Sequence, residues 1–149
     1  QQTPESLKTI VNGLGYAAEI GAGQGYYQPV KTRDKLGDVI TISKPDAQLD
    51  IEAMAVENKV TIVDFFAVWC GPCRQVDEHI RQLMLEKPAI AYRRIDIGDW
   101  DSGVAKRYLG QVPELPFLVI YDRNRRELGR LAGLNLKRLD ELLNQALRP

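Results

Sequence analysis

The chain has 149 residues, 44% of them apolar and 27% charged, which suits one globular domain with roughly thirty to forty residues to spare. Lys plus Arg and Asp plus Glu both total 20, for a formal net charge of zero, so no long-range field marks nucleic acid or an anionic membrane as a partner. The longest apolar run, residues 65–69, is far short of the ~18 residues a membrane-spanning helix needs.

In chain order, Thr3-Pro4-Glu5 opens like a capped helix start, with Thr as cap and Pro in the first turn. Leu7, Ile10, Val11 and Leu14 follow on one face, and Gly21 is expected to end the helix. Residues 21–37, with several glycines plus Tyr26, Tyr27 and Pro29, read as a linker that packs on its own domain, a partner-binding or tethering role being the alternative. The expected division is therefore an N-terminal helical extension and linker over 1–37 and a main domain over 38–149. Within the main domain, residues 39–42 read as a strand, and Ser43 or Asp46 as the cap of a helix to about Glu57 carrying Leu49, Ala53 and Val56. Residues 60–66 are a near-continuous apolar run, the mark of a central strand covered on both faces. Helix is expected from Cys70 to about Glu86, closed by Pro88. A strand follows over 89–97 and a short helix over 102–109. Residues 117–121 and 127–131 read as a hairpin, and Asn135 as the cap of a last helix with Leu136, Leu139, Leu143 and Ala146 facing inward. Strands alternating with helices predict an α/β fold.

The chemistry centres on Trp69-Cys70-Gly71-Pro72-Cys73, where the buried strand gives way to a helix. The chain has 2 cysteines, and a bridge between them would close almost no loop and stabilise little. Chemistry explains the pair better than structure does. At a helix N-terminus the unpaired N–H groups and the dipole favour an anion, so a thiolate at Cys70 should form below the ~8.5 of a free thiol. Cys73, one turn further in and less exposed, is placed to resolve a mixed disulfide by thiol–disulfide exchange. Gly71 and Pro72 offer the thiolate no stabilising side chain, which points to a reductant, with Arg74 as the residue that would erode this. Asp64, inside the apolar run, is costly to bury as an anion, so its pKa should rise. From there it can act as a base toward Cys73 through a water. Leu115-Pro116-Phe117 puts a proline directly ahead of a strand, where a cis bond would turn the backbone toward the thiols; Pro113 fits the same description.

Residues 63–73, Val-Asp-Phe-Phe-Ala-Val-Trp-Cys-Gly-Pro-Cys, resemble the active-site strand and turn of thioredoxins almost residue for residue. The resemblance covers about residues 38–149. It implies a thioredoxin fold, a central mixed sheet flanked by helices, here with an extra N-terminal helical segment. It also implies Cys70 as nucleophile, Cys73 as resolving thiol and Asp64 as buried acid. Trp69, Gly71, Pro72, Leu115, Pro116 and Gly133 are then the substrate-facing residues, and Arg94 stands where thioredoxins carry a lysine near the acid. Three departures stand out: Phe66 replaces a common Trp, Glu78 replaces a helix-kinking Pro, and the segment 110–115 is about two residues longer ahead of Pro116.

The expected function is a protein-disulfide reductase; an oxidase or isomerase of exported proteins, or a binding module on the same fold, are the alternatives. Expected partners are disulfide-containing proteins and an upstream thiol electron donor, either a membrane thiol carrier or a flavin-dependent reductase. No cofactor, metal or nucleic acid is implied, and a monomer is expected. The first residue is Gln1, which suggests a processed, exported protein, periplasmic rather than cytoplasmic. His79 lies about 180° around the helix from Cys70 and reads as a packing or surface residue. Arg123, Arg125 and Arg126 read as a solvated turn, and Trp100 as marking a helix start.

Overall fold

The structure, a computed structural model, describes residues 30–33 and 37–148; the helix expected at the start of the chain lies outside them. Among the described residues the strands are β1 (Val30–Arg33), β2 (Val39–Ser43), β3 (Val60–Phe66), β4 (Ile90–Asp96), β5 (Phe117–Tyr121) and β6 (Glu127–Ala132). The helices are α1 (Gly71–Glu86), α2 (Gly103–Tyr108) and α3 (Leu136–Leu147). The strands form one sheet in the order β1-β2-β4-β3-β5-β6. β2, β4 and β3 run parallel, while β1, β5 and β6 each pair antiparallel to their neighbours. This is the mixed sheet flanked by helices that the sequence predicts.

Along β3 every residue is buried, and successive side chains serve opposite faces of the sheet. Val63 and Phe65 join Ile95, Phe117 and Val119 in one apolar layer, closed by Val104 and Ala105 of α2 together with Ile51 and Ala55. Ile62 joins Tyr92, Leu118 and Ile120 in the other, closed by Val76 and Ile80 of α1 and by Leu139, Leu142 and Leu143 of α3. Both cysteines lie at the edge of the first layer.

Two elements differ from expectation. Residues 30–33, inside the expected linker, are a strand paired antiparallel to β2, with Val30 opposite Ser43 and Arg33 opposite Ile40. The helix expected to run to about Glu57 is only a 3₁₀ turn, Glu52–Met54. Its backbone is engaged elsewhere. Asp46 and Asp50 accept from the N–H groups two residues on, at 2.9 and 3.0 Å, local turns that compete with a helix. The Leu49 carbonyl, which a helix would use internally, instead accepts from the Tyr108 hydroxyl at 2.6 Å and from Arg107 at 3.1 Å. The other helices start as the sequence indicates: Ser102 accepts from Ala105 N at 3.2 Å and Asn135 from Arg138 N at 3.0 Å.

Candidate active site

β3 ends at Phe66, and after a short turn the chain enters α1 with Cys70 as its cap. Pro72 occupies the first turn of the helix, where its missing N–H leaves no bond unmade. Cys70 and Cys73 are joined by a disulfide, with Cα atoms 5.3 Å apart. Both are buried, and the Cys73 amide donates to Cys70 Sγ at 3.2 Å. That amide is one of the otherwise unpaired donors of the helix start. After reduction it points at the sulfur that would carry negative charge, an arrangement that favours the thiolate.

Around the disulfide the surface is apolar. Val68 is 61% exposed and Trp69 53%, large fractions for residues that could have packed inward. The Trp69 ring N–H donates to the Gly98 carbonyl at 2.8 Å, fixing the indole over the loop that carries the exposed Trp100. Arg74 reaches back to the Val68 carbonyl at 3.2 Å. The peptide bond between Leu115 and Pro116 is cis, so the description shared with Pro113 belongs to Pro116. Leu115 packs in the same apolar layer as the two cysteines. The Pro116 carbonyl accepts from Gly133 N at 2.8 Å. Gly133 has φ +83°, a conformation that favours glycine, and a Cβ there would meet the Glu114 carboxylate, the movable end of an exposed side chain.

Asp64 sits in β3 opposite Arg94 of β4 and Leu118 of β5, with no exposed surface. Burial raises its pKa from 3.8 to about 7; a hydrogen bond from Tyr92 and the charge of Arg94 act against the rise, and the charge of Asp77 adds to it. Asp64 Oδ2 bonds the Tyr92 hydroxyl at 2.8 Å, whereas Oδ1 has no hydrogen-bond partner among the described residues. Arg94 lies over the Phe66 ring, 4.1 Å from its centre, and pairs with Asp77 at 3.1 Å. The aromatic ring at position 66 thus serves as a platform for the cation beside the acid.

Two of these neighbours, Tyr92 and Asp77, do not stand out in the sequence. Tyr92 shares a strand face with Arg94 because strand side chains alternate with a period of two. The residue that the sequence places near the acid is therefore the available signal for it.

The thioredoxin family model matches residues 39–145. The chain belongs to the thioredoxin family. Thioredoxin-2 of Saccharomyces cerevisiae is 32% identical over 97 residues, covering 65% of this chain and 88% of its own length. The thioredoxin of Chlamydia pneumoniae is 34% identical over 91 residues, 60% of this chain and 85% of its own. The structure of the thioredoxin from Trypanosoma brucei brucei superposes with a TM-score of 0.56 at 23% identity, over 78% of this chain and 96% of that one, which speaks for the fold. This thioredoxin-family chain is accordingly a protein thiol–disulfide oxidoreductase with a redox-active Cys pair, and its family acts on disulfide-containing proteins.

Other candidates take structural places. His79 Nε2 lies 2.7 Å from Asp140 Oδ1, joining α1 to α3. Trp100 precedes Ser102, the cap of α2. In the turn after β5, Arg125 adopts φ +63° and Arg123 donates to the Leu147 carbonyl at 3.2 Å. α1 passes Glu78 without a break. Among the described residues, no group of three or more His, Cys, Asp and Glu side chains converges as a metal site. No helix there is long and apolar enough to cross a membrane.

Proposed function

We propose that the chain is a protein-disulfide reductase in which Cys70 is the nucleophile, Cys73 the resolving thiol and Asp64 the group that exchanges a proton with Cys73. The observation that carries the reading is the donation of the Cys73 amide to Cys70 Sγ at the start of α1. It supports a Cys70 thiolate that attacks a substrate disulfide, forms a mixed disulfide and releases the substrate thiol. Cys73 then attacks Cys70 Sγ, frees the second substrate thiol and leaves the pair oxidised. Direction is argued from the residues between the cysteines: Gly71 and Pro72 bring no charged or hydrogen-bonding side chain to the thiolate. The reduced pair is then less favoured than it would be beside a His, and gives up its electrons readily.

Substrate contact is assigned to Trp69, Gly71, Pro72, Leu115, Pro116 and Gly133. The exposed Val68, Trp69, Trp100 and Leu134 supply an apolar rim suited to an extended, partly unfolded polypeptide. Leu134 belongs to this rim because its neighbour Gly133 is tied to Pro116.

The test is insulin-disulfide reduction with dithiothreitol as electron source. Cys70→Ser should abolish it, and retained turnover would end the proposal. The reduction potential of the pair should lie below about −230 mV, on the reducing side of glutaredoxin-type couples. A value near the oxidising end would favour an oxidase instead.

A further inference from the structure

Asp64 faces a second carboxyl through a single hydroxyl. Tyr92 Oη stands 2.8 Å from Asp64 Oδ2 and 2.8 Å from Asp77 Oδ1. A phenol has one proton to donate, and an ionised carboxylate can only accept. With both carboxyls ionised, one of these contacts would set lone pair against lone pair in a site that Tyr92 fills with no exposed surface. Both contacts are hydrogen bonds only when one carboxyl carries a proton. The surroundings decide which one. Asp77 is paired with Arg81 at 2.9 Å and Arg94 at 3.1 Å and is partly exposed. Asp64 is fully buried. The chain of bonds therefore runs from a protonated Asp64 to Tyr92 Oη, and from the Tyr92 hydroxyl to an anionic Asp77.

We propose that Tyr92 and Asp77 are positioning residues that form a proton relay from Asp64 to solvent along the flank of α1. The relay rests on the reading that Asp64 exchanges a proton with Cys73. Its step is balanced. As the Cys73 thiol gives its proton through a water to Asp64 Oδ1, the proton on Asp64 Oδ2 passes to Tyr92 Oη, and the Tyr92 hydroxyl proton passes to Asp77 Oδ1. Asp64 ends with one proton, now on Oδ1, and Tyr92 with one hydroxyl proton, now directed at Asp64 Oδ2. Cys73 becomes the attacking thiolate, Asp77 hands the proton to water, and rotation of the Asp64 carboxyl and the Tyr92 hydroxyl restores the starting arrangement. A protonated Asp64 can thus serve as a base, because one oxygen takes a proton while the other releases one. Oδ1, without a hydrogen-bond partner among the described residues, is the oxygen left for the first transfer.

The charged and titratable groups on this face are few. β4 brings Tyr92 and Arg94, and α1 brings Asp77 and Arg81. β5 and α3 bring Leu118, Leu139, Leu142 and Leu143, which carry no charge. α1 also carries His79, paired with Asp140 of α3 at 2.7 Å, and β2 brings Thr41, which accepts from Arg94. Among the described residues the hydrogen bonds from Asp64 lead to Tyr92 and on to Asp77.

The experiment is a set of variants assayed for insulin reduction at neutral pH, joined to a ¹³C titration of the aspartate carboxyls in the oxidised protein. Tyr92→Phe and Asp77→Asn should each slow turnover about tenfold, less than the roughly 10²–10⁴-fold that a general acid–base group itself contributes, because Asp64 remains in place. The double variant should be no slower than either single one, because both interrupt one path. In the parent protein the Asp77 carbon should respond at the pH where Asp64 titrates, and Tyr92→Phe should abolish that response. Normal turnover in both single variants, additive losses in the double, or an Asp77 response unchanged by Tyr92→Phe would each overturn the relay. Asp64→Asn separates the two ideas. If it slows turnover while Tyr92→Phe and Asp77→Asn do not, the relay alone fails; if it too turns over normally, the role given to Asp64 fails.

Discussion

Burial raises the Asp64 pKa to about 7, and this sets a sign for stability against pH. Its folded pKa of about 7 lies above the ordinary 3.8, so the folded state prefers the protonated form. The preference is fully expressed below about pH 4, is lost progressively as pH rises toward 7, and stays lost above it. Asp64→Asn removes the slope. Its advantage over the parent in urea unfolding of the oxidised protein should grow by roughly 2–4 kcal/mol between about pH 4 and pH 8, at about 1.4 kcal/mol for each tenfold change in proton affinity on folding. A constant difference across that range would contradict the burial argument. Gly133 supports a second expectation at this scale. Gly133→Ala places a side chain at φ +83° against Glu114 and should cost about 1–2 kcal/mol in thermal unfolding. Adding Glu114→Ala should recover the steric part and leave the conformational part. The legibility of the site divides along the same line. Cys70, Cys73 and Asp64 stand within one continuous stretch, so their types and spacing announce them. Tyr92 and Asp77 do not, because a tyrosine in a strand reads as core and an aspartate on a helix as surface. Only the pairing of β3 with β4 and the docking of α1 bring their oxygens together.

Among the elements, those with a strong local signal form as read. β3 is a near-continuous apolar run, and α2 and α3 begin at side chains that accept from the third residue on. Ser102→Ala should therefore cost about 1 kcal/mol, measured by urea unfolding. The segment 46–57 fails to form its expected helix for a reason no local pattern contains. Its carbonyls are taken by Tyr108 and Arg107, some sixty residues away in the chain. Tyr108→Phe removes the 2.6 Å bond to Leu49 and should cost about 1 kcal/mol, with faster backbone amide exchange around residues 49–55 as the confirming readout. β1 is illegible for a similar reason. Val-Lys-Thr-Arg is a short alternation beside Pro29, and it becomes a strand because β2 has a free edge to pair with.

For the whole molecule the disulfide is a working part and not a brace. With a sequence separation of 3, it closes so small a loop that its loss should cost about 2 kcal/mol or less. The reduced protein, and a Cys70→Ser/Cys73→Ser variant, should keep the circular dichroism of the oxidised form and unfold at only slightly lower urea; collapse on reduction would make the bridge structural. The antiparallel course of β1 governs how the molecule meets a solid support. Val30 pairs with Ser43, at the same end of the sheet as Phe66, from which the chain leads to Cys70. A tether leaving ahead of Val30 thus departs beside the reactive face, three strand spacings or about 14 Å across from β3. Leu147, by contrast, is clasped by Arg123 at the far end of the sheet, where Arg123 also accepts from Asn58. Molecules grafted to a bead through a linker beyond Arg148 will hold the cysteines outward, open to bulky clients. Molecules grafted at the start of β1 will stand with them toward the bead, still reachable by small disulfide dyes but shaded from folded proteins.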